Sequence, residues 1–220
     1  MIACYQLTVS HPSDRGFLFE DGSFEVQRGE WAEVVGPAGS GKSVLYSMAA
    51  LERRPLEGRI VVGGRDLERV GAGDLAEMRR SMGCCGQPPE FLEERSVLEN
   101  VTAPLVVRGE SADARKRGEE LLERAGLAGR SESPVGELAE SERRLLGVLR
   151  AVVGEPDLVL VDGALEFLSG AHREEAAARL TEAHGRGATV VAFGRRGSNI
   201  DASDGSVFRI REANIERLGR

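Results

Sequence analysis

A chain of 220 residues is long enough to bury a sizeable core and fits one α/β domain, or a domain with an inserted lobe; its 41% hydrophobic and 30% charged residues are ordinary for a globular protein. No run approaches the roughly 18 to 20 apolar residues of a membrane span. A net charge of −7 argues against a general nucleic-acid binder, because a phosphate-tracking surface leaves a domain basic.

Met1-Ile-Ala-Cys-Tyr5 shows no basic stretch followed by an apolar core, so neither a signal nor a transit peptide is expected and a cytosolic location is the default. The cysteines, Cys4, Cys84 and Cys85, lack the spacing of a zinc site or a disulfide framework and read as small buried hydrophobes. Lys42 and Lys116 are the only lysines among 29 basic residues.

In chain order, residues 2–9 and 31–35 read as strands, the second running straight into Gly36-Pro37-Ala38-Gly39. A helix is expected over 43–51, short β patterns at 59–63 and 82–85, a helical stretch near 73–81 and an apolar segment over 97–107. Residues 111–126 have the pattern of a helix capped by Ser111, with Leu121, Leu122 and Ala125 on its apolar face. A helix over 140–153, the strand 158–162, a helix over 171–184, a strand over 188–193 and a hairpin-like pair at 206–216 follow. Strands alternating with helices predict a mostly parallel sheet with helices on both faces, and the helix-rich stretch of about 88–154 reads as a lobe inserted into a core of about 1–87 and 155–220.

Gly36-Pro37-Ala38-Gly39-Ser40-Gly41-Lys42-Ser43 matches G-x-x-x-x-G-K-[ST] and lies between a predicted strand and a predicted helix, the context that makes this pattern a phosphate-binding loop. Glycines let successive backbone N–H groups point at phosphate oxygens, and the helix that begins here, with Val44 in its first turn, adds its positive end. Lys42 supplies a compact charge for the β and γ phosphates, a use of lysine that stands out in an arginine-biased chain, and the Ser43 hydroxyl is placed to ligate Mg²⁺. Leu158-Val-Leu-Val-Asp162 has the form of the second nucleotide motif, an apolar strand ending in a carboxylate that holds Mg²⁺.

Order and spacing of these segments resemble the ABC transporter ATPases over nearly the whole chain. Gln87, in Met82-Gly-Cys-Cys-Gly-Gln87-Pro-Pro, stands where that family places the glutamine that touches Mg²⁺ and senses the membrane partner. Phe91 to Val101 and Ala103 to Gly109 resemble the branch serving cell-division and lipoprotein-releasing complexes. The resemblance implies a P-loop NTPase fold with an antiparallel β subdomain, ATP and Mg²⁺ as ligands, Ser43, Gln87 and Asp162 around the metal, a second nucleotide-binding domain, identical or different, as dimer partner, and a membrane permease docked on residues 88–110 at the inner face of the membrane. Near the adenine, His11 occupies the region of the family's stacking aromatic, with Phe17 and Phe19 as substitutes.

Departures cluster at the hydrolytic positions. The signature L-S-G-G-E appears as Leu138-Ala-Glu-Ser-Glu142, and Glu140 turns a carboxylate toward the polyanion held by the opposite subunit; unit charges about 4 Å apart at an effective dielectric near 20 repel by roughly 4 kcal/mol. Gly163 stands where the family has the glutamate that activates water, a loss that costs about 10² to 10⁴ in rate. Gly194 replaces the family's phosphate-contacting histidine. Glu166 is expected to face solvent, Arg195 and Arg196 to form a surface pair, and His172 and His184 to be solvated polar residues.

Three functions follow: a subunit that binds Mg-ATP and couples nucleotide state to a permease with weak or no hydrolysis; an active transporter ATPase in which Glu166 or Arg195 is displaced into service; or a scaffold for a membrane partner whose loop is a remnant. A P-loop kinase fits less well, since nothing resembles an acceptor-binding lid.

Overall fold

The computed structural model describes residues 1–10, 17–195 and 205–218. Strands β1 (Ile2–Ser10), β2 (Phe17–Val26), β4 (Glu57–Val62) and β5 (Arg65–Asp66) form an antiparallel sheet in the order β2-β1-β4-β5. The second sheet runs β10-β9-β3-β8-β7-β6 and contains β3 (Trp31–Val35), β6 (Gly83–Cys85), β7 (Leu158–Asp162), β8 (Thr189–Gly194), β9 (Ser206–Arg211) and β10 (Asn214–Arg217). It is parallel apart from the β9/β10 hairpin.

The central strands are apolar on both faces because both faces are covered. Val159 and Val161 of β7, with Val190 and Ala192 of β8, join the cluster built by α5 (Glu140–Val152) and α6 (Gly170–Gly185); Leu158, Leu160, Val191 and Phe193 join the cluster of α1 (Lys42–Ala49) and the antiparallel sheet. This two-residue alternation settles which helix each strand residue meets. Helix α2 (Ala72–Ser81) borders the antiparallel sheet through Met78, while α3 (Val97–Val107) and α4 (Ser111–Arg124) pack on each other and α3 on α5. Contact between α3 and α4 is close because Gly118 lacks a side chain: a Cβ there would lie 2.4 Å from Thr102 Cγ2.

Several local expectations change. Strand β2 has no counterpart among the sequence-based expectations; within it Asp21 is left-handed, at φ 59°, and the register against β1 shifts. The apolar stretch 97–107 is helical, launched by Ser96, whose Oγ accepts the Glu99 N–H at 3.1 Å while the Glu99 carboxylate accepts the Ser96 N–H at 2.9 Å. Ser111 is the first helical residue of α4 and not its cap; Glu110 holds that position without a side-chain capping bond. His184 is not simply solvated: half-buried, it stands edge-on to Trp31 with centroids 5.7 Å apart, and its Nδ1 lies 3.3 Å from the Ala188 carbonyl.

Candidate nucleotide-binding site

The loop 36–41 leaves β3 and enters α1 through two left-handed glycines, Gly39 at φ 76° and Gly41 at φ 94°. At Gly41 the requirement is doubled, since a Cβ would also fall 2.9 Å from Phe19 Cζ. No side chain caps α1, so its first N–H groups remain open at the loop. A Cβ at Gly36 would strike Ser40 Oγ at 2.6 Å, and that hydroxyl is buried without a hydrogen-bond partner. Uncapped N–H groups, a buried unsatisfied hydroxyl and a cradle closed to any larger residue suit a phosphate chain lying across the loop.

Lys42 Nζ donates to the carbonyls of Gly36 and Pro37, each at 2.9 Å, which folds the ammonium over the loop. Burial lowers its pKa, against the raising effect of the Glu166 and Asp162 carboxylates, while Arg195 lowers it. Asp162 ends β7 with only 3% of its surface exposed. Burial holds its carboxyl above the ordinary carboxylate range; a hydrogen bond from Ser43 and the charge of Lys42 oppose that, and Glu166 adds to it. Gln87, exposed two residues beyond β6, brings its amide beside Gly163, the neighbour of Asp162. Thus Ser43, Asp162 and Gln87, separated widely in sequence, converge on one end of the parallel sheet. Among the described residues no group of three or more His, Cys, Asp or Glu side chains is placed to hold a metal ion; the groups here that could contact a cation are the Ser43 hydroxyl, the Gln87 amide and the Asp162 carboxylate.

For the adenine, His11 lies outside the described residues. Phe19 is fully buried against Gly41 and unavailable for stacking, whereas Phe17 is 47% exposed.

The largest correction concerns Glu166. It does not face solvent: its side chain is 11% exposed, and its carboxylate accepts the Arg195 backbone N–H at 2.5 Å and Arg195 Nε at 3.1 Å. Arg195 is therefore bound to an acid at the site and is not merely one member of a surface arginine pair; Arg196 lies outside the described residues. The signal was Gly163. At φ 58° it starts a tight turn, closed by Glu166 N–H to the Gly163 carbonyl at 3.1 Å, that returns position 166 toward the end of β8.

The altered signature sits at the start of α5. Glu142 Oε2 accepts the Ala139 N–H at 2.8 Å, while Glu140 stands in the first turn, 66% exposed and 2.6 Å from Arg144 Nη2. The guanidinium of Arg144 also lies 4.4 Å from the centroid of exposed Phe167, a contact with no signal in the sequence.

Residues 19–166 match the family model described as ABC transporter. A lipoprotein-releasing system ATP-binding protein LolD from Chromohalobacter salexigens is 37% identical over 153 residues, 67% of this chain and 65% of that protein. A macrolide export ATP-binding/permease protein MacB 1/2 from Paracoccus denitrificans is 36% identical over 188 residues, which cover 82% of this chain but only 28% of that longer protein. An uncharacterized ABC transporter ATP-binding protein from Thermotoga maritima is 32% identical over 200 residues, 90% of this chain and 85% of its own. In fold, the chain superposes with a TM-score of 0.88 on the ATP-binding cassette MJ0796 in a dimeric post-hydrolysis state bound to ADP and Pi, at 21% identity and full coverage of both chains.

Proposed function

The chain belongs to the ABC transporter family, and from that premise we propose that it is the Mg-ATP-binding subunit of a membrane transport complex that couples nucleotide state to a permease with weak or no hydrolysis. The observation that carries this reading is a mismatch within one site. The loop, Lys42, Ser43 and Asp162 are assembled, while positions 163 and 194 carry no side chain beyond hydrogen.

Gly36, Pro37, Ala38, Gly39, Ser40 and Gly41 would present backbone donors to the phosphates, Lys42 their counter-charge and Val44 the helix start; Ser43, Gln87 and Asp162 would hold Mg²⁺, which supplies neutralising charge at the β and γ oxygens. Lys42 would exchange the Gly36 and Pro37 carbonyls for phosphate oxygens, a stronger charge-assisted contact. With no carboxylate at 163 to take a proton from water, binding acts chiefly as a conformational ligand, shifting a pair of nucleotide-binding domains by its differential affinity for their arrangements.

The permease surface assigned to 88–110 has physical support. A groove of about 340 Å³ beside the start of this stretch is lined by Ala103, Pro104 and Val107 of α3 together with Met82, Cys84 and Arg150. Val106 and Val107 beside it are more than half exposed, at 53% and 58%. Among the described residues no helix is long and apolar enough to cross a membrane; on this proposal the permease is the contact with the inner face.

A second reading, an active ATPase using Glu166, is favoured by the burial of that carboxylate beside Lys42 and Asp162. Calorimetry with Mg-ATP and an assay of phosphate release separate the two. Binding that Lys42→Ala removes, with no turnover above background, supports the proposal; turnover that Lys42→Ala and Glu166→Gln both abolish replaces it with the second reading.

A further inference from the structure

The phosphate loop and Asp162 stand at the finishing ends of β3 and β7, and a separate cleft opens at the starting end of the same sheet. Leu158 and Thr189, the first residues of β7 and β8, both line it. At about 3.3 Å per residue, the strand from Leu158 to Asp162 puts roughly 13 Å between the cleft and the carboxylate end of β7. The cleft has a volume of about 770 Å³, within the roughly 300 to 1,000 Å³ of small-molecule sites. Segments remote in sequence build it: the β4–β5 turn, the end of α2, Arg108 at the end of α3, and the residues that enter β7. No residue assigned to the phosphates or the cation takes part.

The apolar part of the lining is Met1, Val62, Met78, Met82, Pro156 and Leu158. Val62, Met78, Pro156 and Leu158 are buried, and Met1 and Met82 are half-buried. Three of the four methionines in the chain therefore meet at this one cleft, while the fourth, Met48, is fully buried. Methionine is unbranched and flexible, so it moulds to a bound shape, and its polarizable sulfur makes favourable contacts with the edges of aromatic rings. Among the described residues no aromatic side chain lines the cleft, so a ring that enters it meets thioethers and aliphatic carbon.

Charge is balanced around that apolar lining. Arg28, Arg65 and Arg108 face Glu77, Glu155 and Asp157, and most of these groups already have partners. Arg28 Nη2 lies 3.6 Å from Asp157 Oδ2, Arg108 Nε 2.8 Å from Glu110 Oε1, and Glu155 Oε1 3.6 Å from Arg117 Nη2. The remaining two, Arg65 and Glu77, are exposed and opposite in sign. A charged ligand would give up water for a lining with no surplus of the opposite charge, whereas an uncharged one gives up little and gains the apolar contact.

We propose that this cleft is a second ligand site, distinct from the nucleotide site, that takes an uncharged aromatic small molecule. The ligand touches the antiparallel sheet through Val62, α2 through Met78 and the parallel sheet through Leu158 and so bridges parts of the fold that come together only in the native state. Binding therefore stabilises the folded chain by mass action. The inference does not rest on the Mg-ATP reading, because it uses none of the residues that carry that reading.

The test is a fluorescence titration of the full chain with N-phenyl-1-naphthylamine, an uncharged aromatic probe, beside 1-anilinonaphthalene-8-sulfonate, a related probe that carries a negative charge. The uncharged probe is expected to bind saturably at one site, more tightly than the sulfonate, and to raise the melting midpoint. Met82→Gln, which keeps the length of the side chain but sets an amide in the apolar lining, should weaken the uncharged probe at least about fivefold. Arg65→Glu, at an exposed position on the turn, should change its affinity by less than about twofold, and Lys42→Ala likewise. Circular dichroism establishes that each variant folds, and the exposed position of Arg65 and the comparison of the two probes on the wild-type chain keep the test decisive if Met82→Gln does not. Binding that does not saturate, an affinity unchanged in folded Met82→Gln, or a preference for the sulfonate that Arg65→Glu abolishes overturns the proposal. Displacement of the uncharged probe by Mg-ATP, or its loss in Lys42→Ala, places the probe in the nucleotide site and overturns it as well.

Discussion

Gln87 fills the space that a side chain at position 163 would need: a Cβ built on Gly163 falls 2.2 Å from Gln87 Oε1, and the backbone there is left-handed, with φ 58°. The glutamate that the resemblance leads one to look for is therefore missing in a way that a single substitution does not mend. Gly163→Glu must turn the Gln87 amide away and also carry a Cβ in a conformation that costs an L-residue roughly 1 to 2 kcal/mol. We expect Gly163→Glu to lower stability by about 1 kcal/mol in urea denaturation and to leave phosphate release at the wild-type level. A rise in phosphate release to the level of an ordinary transporter ATPase would show that the turn relaxes and that Gln87 moves without cost.

Lys42 tests the loop. Both of its hydrogen bonds go to main-chain carbonyls of the loop itself, so Lys42→Ala should change the unfolding midpoint little. Its affinity for Mg-ATP should fall at least about tenfold, from the loss of charge-assisted contacts worth roughly 1.5 to 3 kcal/mol each. Calorimetry reads the affinity and thermal melts read the stability.

Asp162 illustrates a site maintained against stability. Its folded-state pKa is raised above the ordinary value of 3.8, chiefly by burial. The native chain therefore binds that proton more tightly than the unfolded chain, and the destabilisation is absent below the unfolded pKa, grows as pH rises from there and is complete above the folded pKa. Asp162→Asn keeps an acceptor for the Ser43 hydroxyl and removes the charge. At pH 7 it should raise the melting midpoint by about 2 to 4 °C if the gain is on the order of 1 kcal/mol, with the difference from wild type shrinking in acid, while the Mg²⁺ dependence of nucleotide binding weakens.

The start of α5 makes a prediction about assembly. Glu140 is exposed in the first helical turn, where it would meet the phosphates of a nucleotide held by a facing subunit. The triple substitution Ala139→Ser, Glu140→Gly and Ser141→Gly removes that carboxylate and opens the backbone. Light scattering with Mg-ATP should show more dimer for the triple variant than for the wild-type chain; equal dimer in both would mean that this helix end does not oppose a nucleotide.

Much of the architecture was readable because it rests on local chemistry. The strand–loop–helix of 31–49 announces itself by an apolar run, glycines and a lysine, and the buried β7 by four consecutive apolar residues before Asp162. Strand β2 was not among the expectations; it is defined by its irregular antiparallel pairing with β1, a long-range contact that no local pattern specifies. Of the groups expected around a cation, Ser43 and Asp162 came from the two motifs and Gln87 from the family resemblance, but their convergence depends on β6, β7 and β3 lying in one sheet although they are remote in sequence.

Glu166 marks the boundary between the two kinds of information. The sequence by itself determined the phosphate loop, the strand ending in Asp162 and the missing side chains at 163 and 194, because each is a property of residue type at a local position. Only the tertiary structure decided that Glu166 turns inward and that Arg195 meets it. That outcome depends on a left-handed glycine reversing the chain after β7 and on the parallel register that brings the ends of β7 and β8 together, and neither is a property of the residues 166 and 195 themselves.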